Sequence, residues 1–138
     1  MNKLEYIPGD IVKIEYGEAT GKIGFVTNTF LRRKGCYSLV VFIGKGFQGS
    51  SKDDWIQTYN DEVSPIPITP EILEKNGWKK PDDFDSYWLN KIGLLQEGDT
   101  WHSALGSTKI AITLGNILYV HQLQHLLFGL GLNSEMEV

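Results

Sequence analysis

Cysteine is almost missing from this 138-residue chain, with Cys36 the single example. One thiol excludes an intramolecular disulfide and any metal site built on several cysteines. It suits a reducing compartment. Long apolar runs are missing as well, and nothing approaches the roughly 18 residues a membrane-spanning helix needs. The first nine residues carry no apolar core of the secretory kind. The expectation is a cytoplasmic protein with no membrane partner. Catalytic patterns are equally scarce. Ser50, Ser51, Ser103 and Ser107 have no nucleophile elbow around them. Asp53-Asp54, Asp61-Glu62 and Asp82-Asp83-Asp85 read as solvated loops, because acid/base pairs need opposed environments that this spacing does not supply. No cofactor is implied, and an enzyme is the less favoured reading.

What is present is a chain 41% hydrophobic, enough to fill a real core. Net charge is −4, unevenly spread. Residues 1–50 hold seven Lys/Arg against four Asp/Glu, and residues 51–138 hold six against thirteen. The first part is therefore +3 and the rest −7. An acidic whole argues against coating nucleic acid, while the N-terminal part can still offer a local basic face.

Short apolar segments at residues 10–16, 22–27 and 36–43 are punctuated by glycines 9, 17, 21, 24, 35, 44, 46 and 49. That rhythm predicts small antiparallel β-structure of the barrel type. Residues 55–59 and 63–68 would close it, with Pro65 and Pro67 confined to edge or connector positions. Pro8-Gly9-Asp10-Ile11-Val12-Lys13-Ile14, Gly17 and Gly21-Lys22-Ile23-Gly24-Phe25-Val26 together resemble the KOW motif of SH3-like barrels in ribosomal proteins and elongation factors. The resemblance covers about 18 residues and implies an SH3-like barrel over residues 1–66 more than it implies RNA binding.

Residues 67–138 read differently. Thr69-Pro70-Glu71 opens a short helix, with Thr69 as cap and Pro70 at its first position. Asn76-Gly77 supplies a left-handed stop. Ile72 and Leu73 would face the core. Strands follow at about residues 86–89, 92–96, 100–105 and 109–113. A last helix carries Val120, Leu123, Leu126, Leu127 and Leu130 at the spacing of one buried stripe. Gly131 ends it, and residues 133–138 are expected to fray. The fold class is thus α+β, a barrel followed by an antiparallel meander packed by two helices.

Ile66-Pro67-Ile68-Thr69-Pro70-Glu71-Ile72-Leu73, Asn76-Gly77-Trp78 and Tyr119-Val120-His121-Gln122-Leu123-Gln124 resemble an uncharacterised family of phages and mobile elements of Bacteroidetes. Where that family continues with Asn and a large aromatic, this chain has His125 and Leu126. The resemblance implies a biological setting, a host-cell cytoplasm, and no mechanism.

Several residues are candidates for ligand binding. Arg32-Arg33-Lys34 reads as a hairpin loop, either a solvated turn or an anion contact. Gly44-Lys45-Gly46-Phe47-Gln48-Gly49 matches GxGxxG, but Ser50 to Asp54 cannot open the helix a dinucleotide site requires. A flexible loop, or a backbone nest for an anion aided by Lys45 and Lys52, remains. Trp55, one of four tryptophans, would stack a base if it lay near those cations. His121 and His125 share a helix face. With His102 they could form a metal site, though no Glu stands at Gln122 and no third ligand is evident. His121, Gln122 and Gln124 otherwise serve to satisfy helix-end amides. Cys36, opening an apolar strand, reads as a small buried residue. The expected function is a non-catalytic binding module with a protein, nucleotide or nucleic-acid partner, possible homo-oligomer formation, and two alternatives: an anti-defence sponge for a small nucleotide, or a metal enzyme using the three histidines.

Overall fold

A computed structural model describes residues 6–34, 36–44, 54–107 and 110–138. Lys45 and Lys52, and most of the GxGxxG stretch, lie outside the described residues. The fold is α+β, with antiparallel sheets and two short helices. It divides into two compact units, Met1–Ile66 and Pro67–Val138.

The first unit is a five-stranded sheet of β1 (Ile11–Ile14), β2 (Ile23–Arg33), β3 (Cys36–Phe42), β4 (Trp55–Tyr59) and β5 (Val63–Pro65), ordered β4-β3-β2-β1-β5. Alternation along the strands sends Val12, Ile14, Val26, Leu39, Val41 and Val63 into one core. Rings fill another cluster, where register sets Phe25 opposite Phe42 and Phe42 opposite Trp55. Their centroids lie 5.5 and 4.6 Å apart. Gly24 is required where it stands, because a Cβ there would run into the Phe42 carbonyl oxygen.

No sheet closes, so barrel closure is not seen among the described residues. The two edges are β4 and β5, and β5 is only three residues long and ends in Pro65, which has no amide to donate. The expected strand over residues 63–68 is correspondingly cut short. Pro67 instead forms an isolated bridge with Tyr119. Arg32 and Arg33 are not in a loop. They end β2, because the ladder to β3 continues to Arg33 opposite Cys36. Backbone pairing there overrides side-chain polarity.

The second unit sets β6 (Ser86–Leu89), β7 (Ile92–Glu97), β8 (Thr100–Gly106) and β9 (Ala111–Ile117) side by side in chain order. Helix α1 (Pro70–Lys75) is capped by the Thr69 hydroxyl oxygen, which accepts from the Ile72 amide at 3.2 Å. Leu73 is fully buried and Ile72 half-buried. Helix α2 (Val120–Gly129) buries Val120, Leu123 and Leu127, while Leu126 is only half-buried and Leu130 is exposed. The stripe is narrower than its spacing suggested. With Ile92, Leu94, Trp78 and Trp101 these residues form the core. The Trp101 indole N–H donates to the Ile68 carbonyl at 3.2 Å, so the buried ring leaves no stranded donor. Trp88 lies against Gly93, where a Cβ would come within 2.7 Å of the ring.

Two expectations fail here. The last strand runs to Ile117 rather than Thr113, with Leu114 taken up as a bulge opposite Ser103 and Ala104. The C-terminal segment does not fray. Asn76 donates to the Glu137 carbonyl at 2.7 Å and accepts from the Glu137 amide at 2.8 Å. Gln124 donates to the Ser134 carbonyl at 3.1 Å, and Met136 is buried.

Candidate functional site

A concavity lies at the tip of the β2–β3 hairpin. Arg32, Arg33, Cys36, Tyr59, Asp61 and Glu62 line an open recess of about 510 Å³. Three segments meet there for register reasons. Arg33 pairs with Cys36, Ser38 pairs with Tyr59, and the turn after β4 supplies Asp61 and Glu62. The turn is fixed from within, since the Tyr37 amide donates to the Asn60 side-chain oxygen at 3.0 Å. Cys36 is half-buried at the rim rather than buried.

Two guanidiniums and a phenol ring are the groups an anionic ring ligand would meet. The two carboxylates in the same recess offset that charge. The arrangement is a mixed-charge surface. Trp55 does not join it, for it begins β4 while Tyr59 ends it, about 13 Å away along a strand. Its ring packs on Phe42 instead.

The β2 strand beside the recess is open on one side. Its β1 partner covers only Ile23, Gly24 and Phe25. Val26 is still bonded on that side, its amide donating to the Asp10 carbonyl at 2.8 Å and its carbonyl accepting from the Gly9 amide at 2.7 Å. From Asn28 to Arg33, among the described residues, β2 pairs with β3 alone. Phe30 and Leu31 stand 50% and 67% exposed on that stretch, next to exposed Arg32 and Arg33. Sequence reading missed these two apolar residues, because it ended the strand at residue 27 and β2 runs on to Arg33.

The histidines do not converge. His121 is 2% exposed on α2, with the Tyr119 ring stacked at 5.9 Å and His125 edge-on at 5.5 Å. Burial, and then the charge of His125, push its pKa from 6.5 down to about 4. It is a neutral core ring. His102 belongs to the opposite environment, an exposed sheet face. Its Nδ1 meets the Asn116 amide oxygen at 2.5 Å and its Nε2 the Glu97 carboxylate at 2.6 Å. Those bonds, Asn116 first and Glu97 second, raise its pKa. Among the described residues no three His, Cys, Asp or Glu side chains form a group able to hold a metal. Gln122 and Gln124 have structural work. The Gln122 side-chain oxygen accepts from the Leu118 and Tyr119 amides at 2.8 and 3.1 Å, satisfying donors ahead of α2. Gln124 is buried and holds the C-terminal segment.

No helix of the described residues is long and apolar enough to cross a membrane. No family model, curated protein or solved structure matches the chain.

Proposed function

We propose that the chain is a non-catalytic binding module, of the phage or mobile-element setting its YVHQLQ resemblance implies, that takes a protein partner on its β2–β3 hairpin. The observation that carries this is the half-open β2 edge, where exposed Phe30 and Leu31 adjoin Arg32 and Arg33. Unpaired strand edges accept an added strand from another chain, with backbone bonds giving affinity and side chains giving specificity. The partner is an extended segment carrying apolar and acidic residues. Apolar side chains meet Phe30 and Leu31, and an acidic one meets the arginines. The sheet order and the two β2 irregularities, between Val26 and Asn28 and between Leu31 and Arg33, support reading this unit as an incompletely closed SH3-like barrel.

A second reading, capture of a small nucleotide, has the Arg32, Arg33 and Tyr59 recess in its favour, whose volume falls within the ordinary range of small-molecule pockets. Asp61 and Glu62 count against it, because each repels phosphate. The metal-enzyme reading loses its support with the separation of His102 from His121.

The test is a panel of fluorescent extended peptides, acidic-apolar and basic-apolar, measured by anisotropy against the full chain. A parallel thermal-shift screen uses nucleotides, cyclic dinucleotides and short RNA. Acidic peptides should bind, weaken with salt, and lose binding with Leu31→Lys and Arg33→Glu. Nucleotide stabilisation abolished by Arg33→Ala, without peptide binding, overturns the protein reading.

A further inference from the structure

We propose that β9 is a self-association edge, pairing antiparallel with β9 of a second copy of this chain. The inference is independent of the hairpin reading above and concerns the other unit.

Four strand edges bound the two sheets, and they are not alike. The β5 edge is three residues long and ends in proline. The β4 edge adjoins residues outside those described. In the second sheet, β6 has a short cover: the Lys79 amide donates to Trp88 at 3.0 Å and the Trp88 amide to Lys79 at 2.7 Å. The remaining edge, β9, is seven residues long and, among the described residues, pairs only with β8. From residue 110 to 118 it holds no charged residue and no proline. Charge, proline, shortness and cover are the devices that keep sheet edges apart. A bulge at Leu114 is the one device β9 has, since Ser103 pairs with Gly115 and Ala104 with Thr113.

Side-chain direction sharpens the case. Ile117 lies opposite Trp101, and Trp101 is buried. Past the bulge, Ile112 lies opposite Leu105, two pleats from Ser103 and on the same face as Trp101. Ile110 stands immediately before β9, and alternation continued by one residue would put it on that same face. It is the face that packs the core, yet Ile110 and Ile112 are 81% and 70% exposed. Among the described residues, nothing covers the core-side surface at this end of the strand.

A second copy is the occupant that this chemistry selects. An isologous antiparallel pair centred on Ile112 sets Ile112 against Ile112 of the partner. It then sets Ala111 against Thr113 and Ile110 against Leu114. Every pair is uncharged, and like charges directly opposite are the usual bar to self-pairing. The surrounding unit is acidic, with nine Asp/Glu against five Lys/Arg over residues 67–138. Net charge of one sign sets two copies of the unit to repel, and an uncharged edge is where that repulsion is least. The two-fold axis keeps both core-side faces on one side of a joined sheet, so the four isoleucines cover one another.

The contact is small. A ladder over residues 110–114 is about 17 Å long. With two isoleucines per copy it falls short of the about 800 Å² per partner of a standard interface. Association is therefore concentration-dependent and fast, not permanent.

Sedimentation velocity of the full chain from roughly 10 µM to roughly 1 mM tests this, a range in which weak dimers form. The weight-average mass should rise from 15.6 kDa toward twice that value. Ile112→Lys should hold the mass at the monomer value across the range, with circular dichroism unchanged because the site is exposed. Ile110→Lys provides a second variant should the first misfold. Leu31→Lys, on the other unit, should leave the dimer intact. A mass that stays monomeric throughout, or a dimer that survives Ile112→Lys and Ile110→Lys, or one removed by Leu31→Lys alone, overturns the proposal.

Discussion

His121 offers a stability test with a definite sign. Its ring is buried on α2, and its pKa lies near 4 instead of 6.5, through burial first and His125 second. The unfolded chain therefore takes up a proton at this ring more readily than the folded chain does. A group of this kind contributes fully above its unfolded pKa and loses that contribution as pH falls through the gap toward the folded value. The window is pH 6.5 down to about 4. A gap of that size is worth about 3 kcal/mol, an upper bound if the site relaxes or admits water. Carboxylates titrate over the lower part of the same window, so the assay must subtract them. Urea unfolding of the wild type and His121→Gln, read from tryptophan emission, does so, since both chains share every other group. Trp78 and Trp101 are the buried reporters of this unit. Whatever the variant costs at pH 7.5, the gap between the two curves should shrink by about 2–3 kcal/mol by pH 4. Parallel curves across the range would mean that His121 titrates normally and that the ring is wet. His125→Ala, which removes the second cause, should make the wild-type loss smaller.

Three further outcomes follow from the packing. His102 should titrate by NMR above its ordinary 6.5, and lose most of that rise with Asn116→Ala and part with Glu97→Gln. Its contribution has the opposite sign to that of His121, being present below pH 6.5 and lost as pH rises through the raised value. Gly24→Ala drives a methyl into the Phe42 carbonyl and the Val41 and Ile43 side chains, and should destabilise the first unit by about 1–3 kcal/mol in thermal unfolding. Asn76→Ala removes both bonds to Glu137 and the bond to the Ile72 carbonyl. It should cost about 1 kcal/mol and speed amide exchange over the last six residues.

The parts of this molecule that were legible in the sequence are those decided within a few residues. Thr69, Pro70, Asn76 and Gly77 announce both ends of α1, because capping is a contact across one turn. Strand positions are announced by short apolar segments between glycines. What pairs with what is not. The closing helix was expected to bury Leu126 and Leu130, but Leu126 is half-buried and Leu130 exposed, because burial is set by what the rest of the chain brings against a helix and not by spacing alone. Asn133, Ser134 and Glu135 look like a solvated tail. Their neighbour Met136 is nevertheless buried, held by Asn76 and Gln124 from elements far back in the chain.

The recess shows why long-range register matters for function as well as for fold. In the sequence Arg32 and Arg33 read as a solvated turn or an anion contact, with Trp55 to stack a base if it lay beside them. Register decides otherwise. The ladder carries the arginines up to Cys36, past the strand end where Trp55 packs on Phe42. It delivers Tyr59, Asp61 and Glu62 in place of Trp55. The basic residues were identified and their neighbours were not, and the neighbours change the chemistry. Arginines beside an aromatic ring alone would favour a nucleotide. Arginines beside an exposed Phe30–Leu31 edge, with two carboxylates to bar a phosphate, favour an extended peptide that brings apolar side chains to the edge and an acidic one to the arginines. The sign of the first peptide to bind therefore tests the register of three strands together with the function.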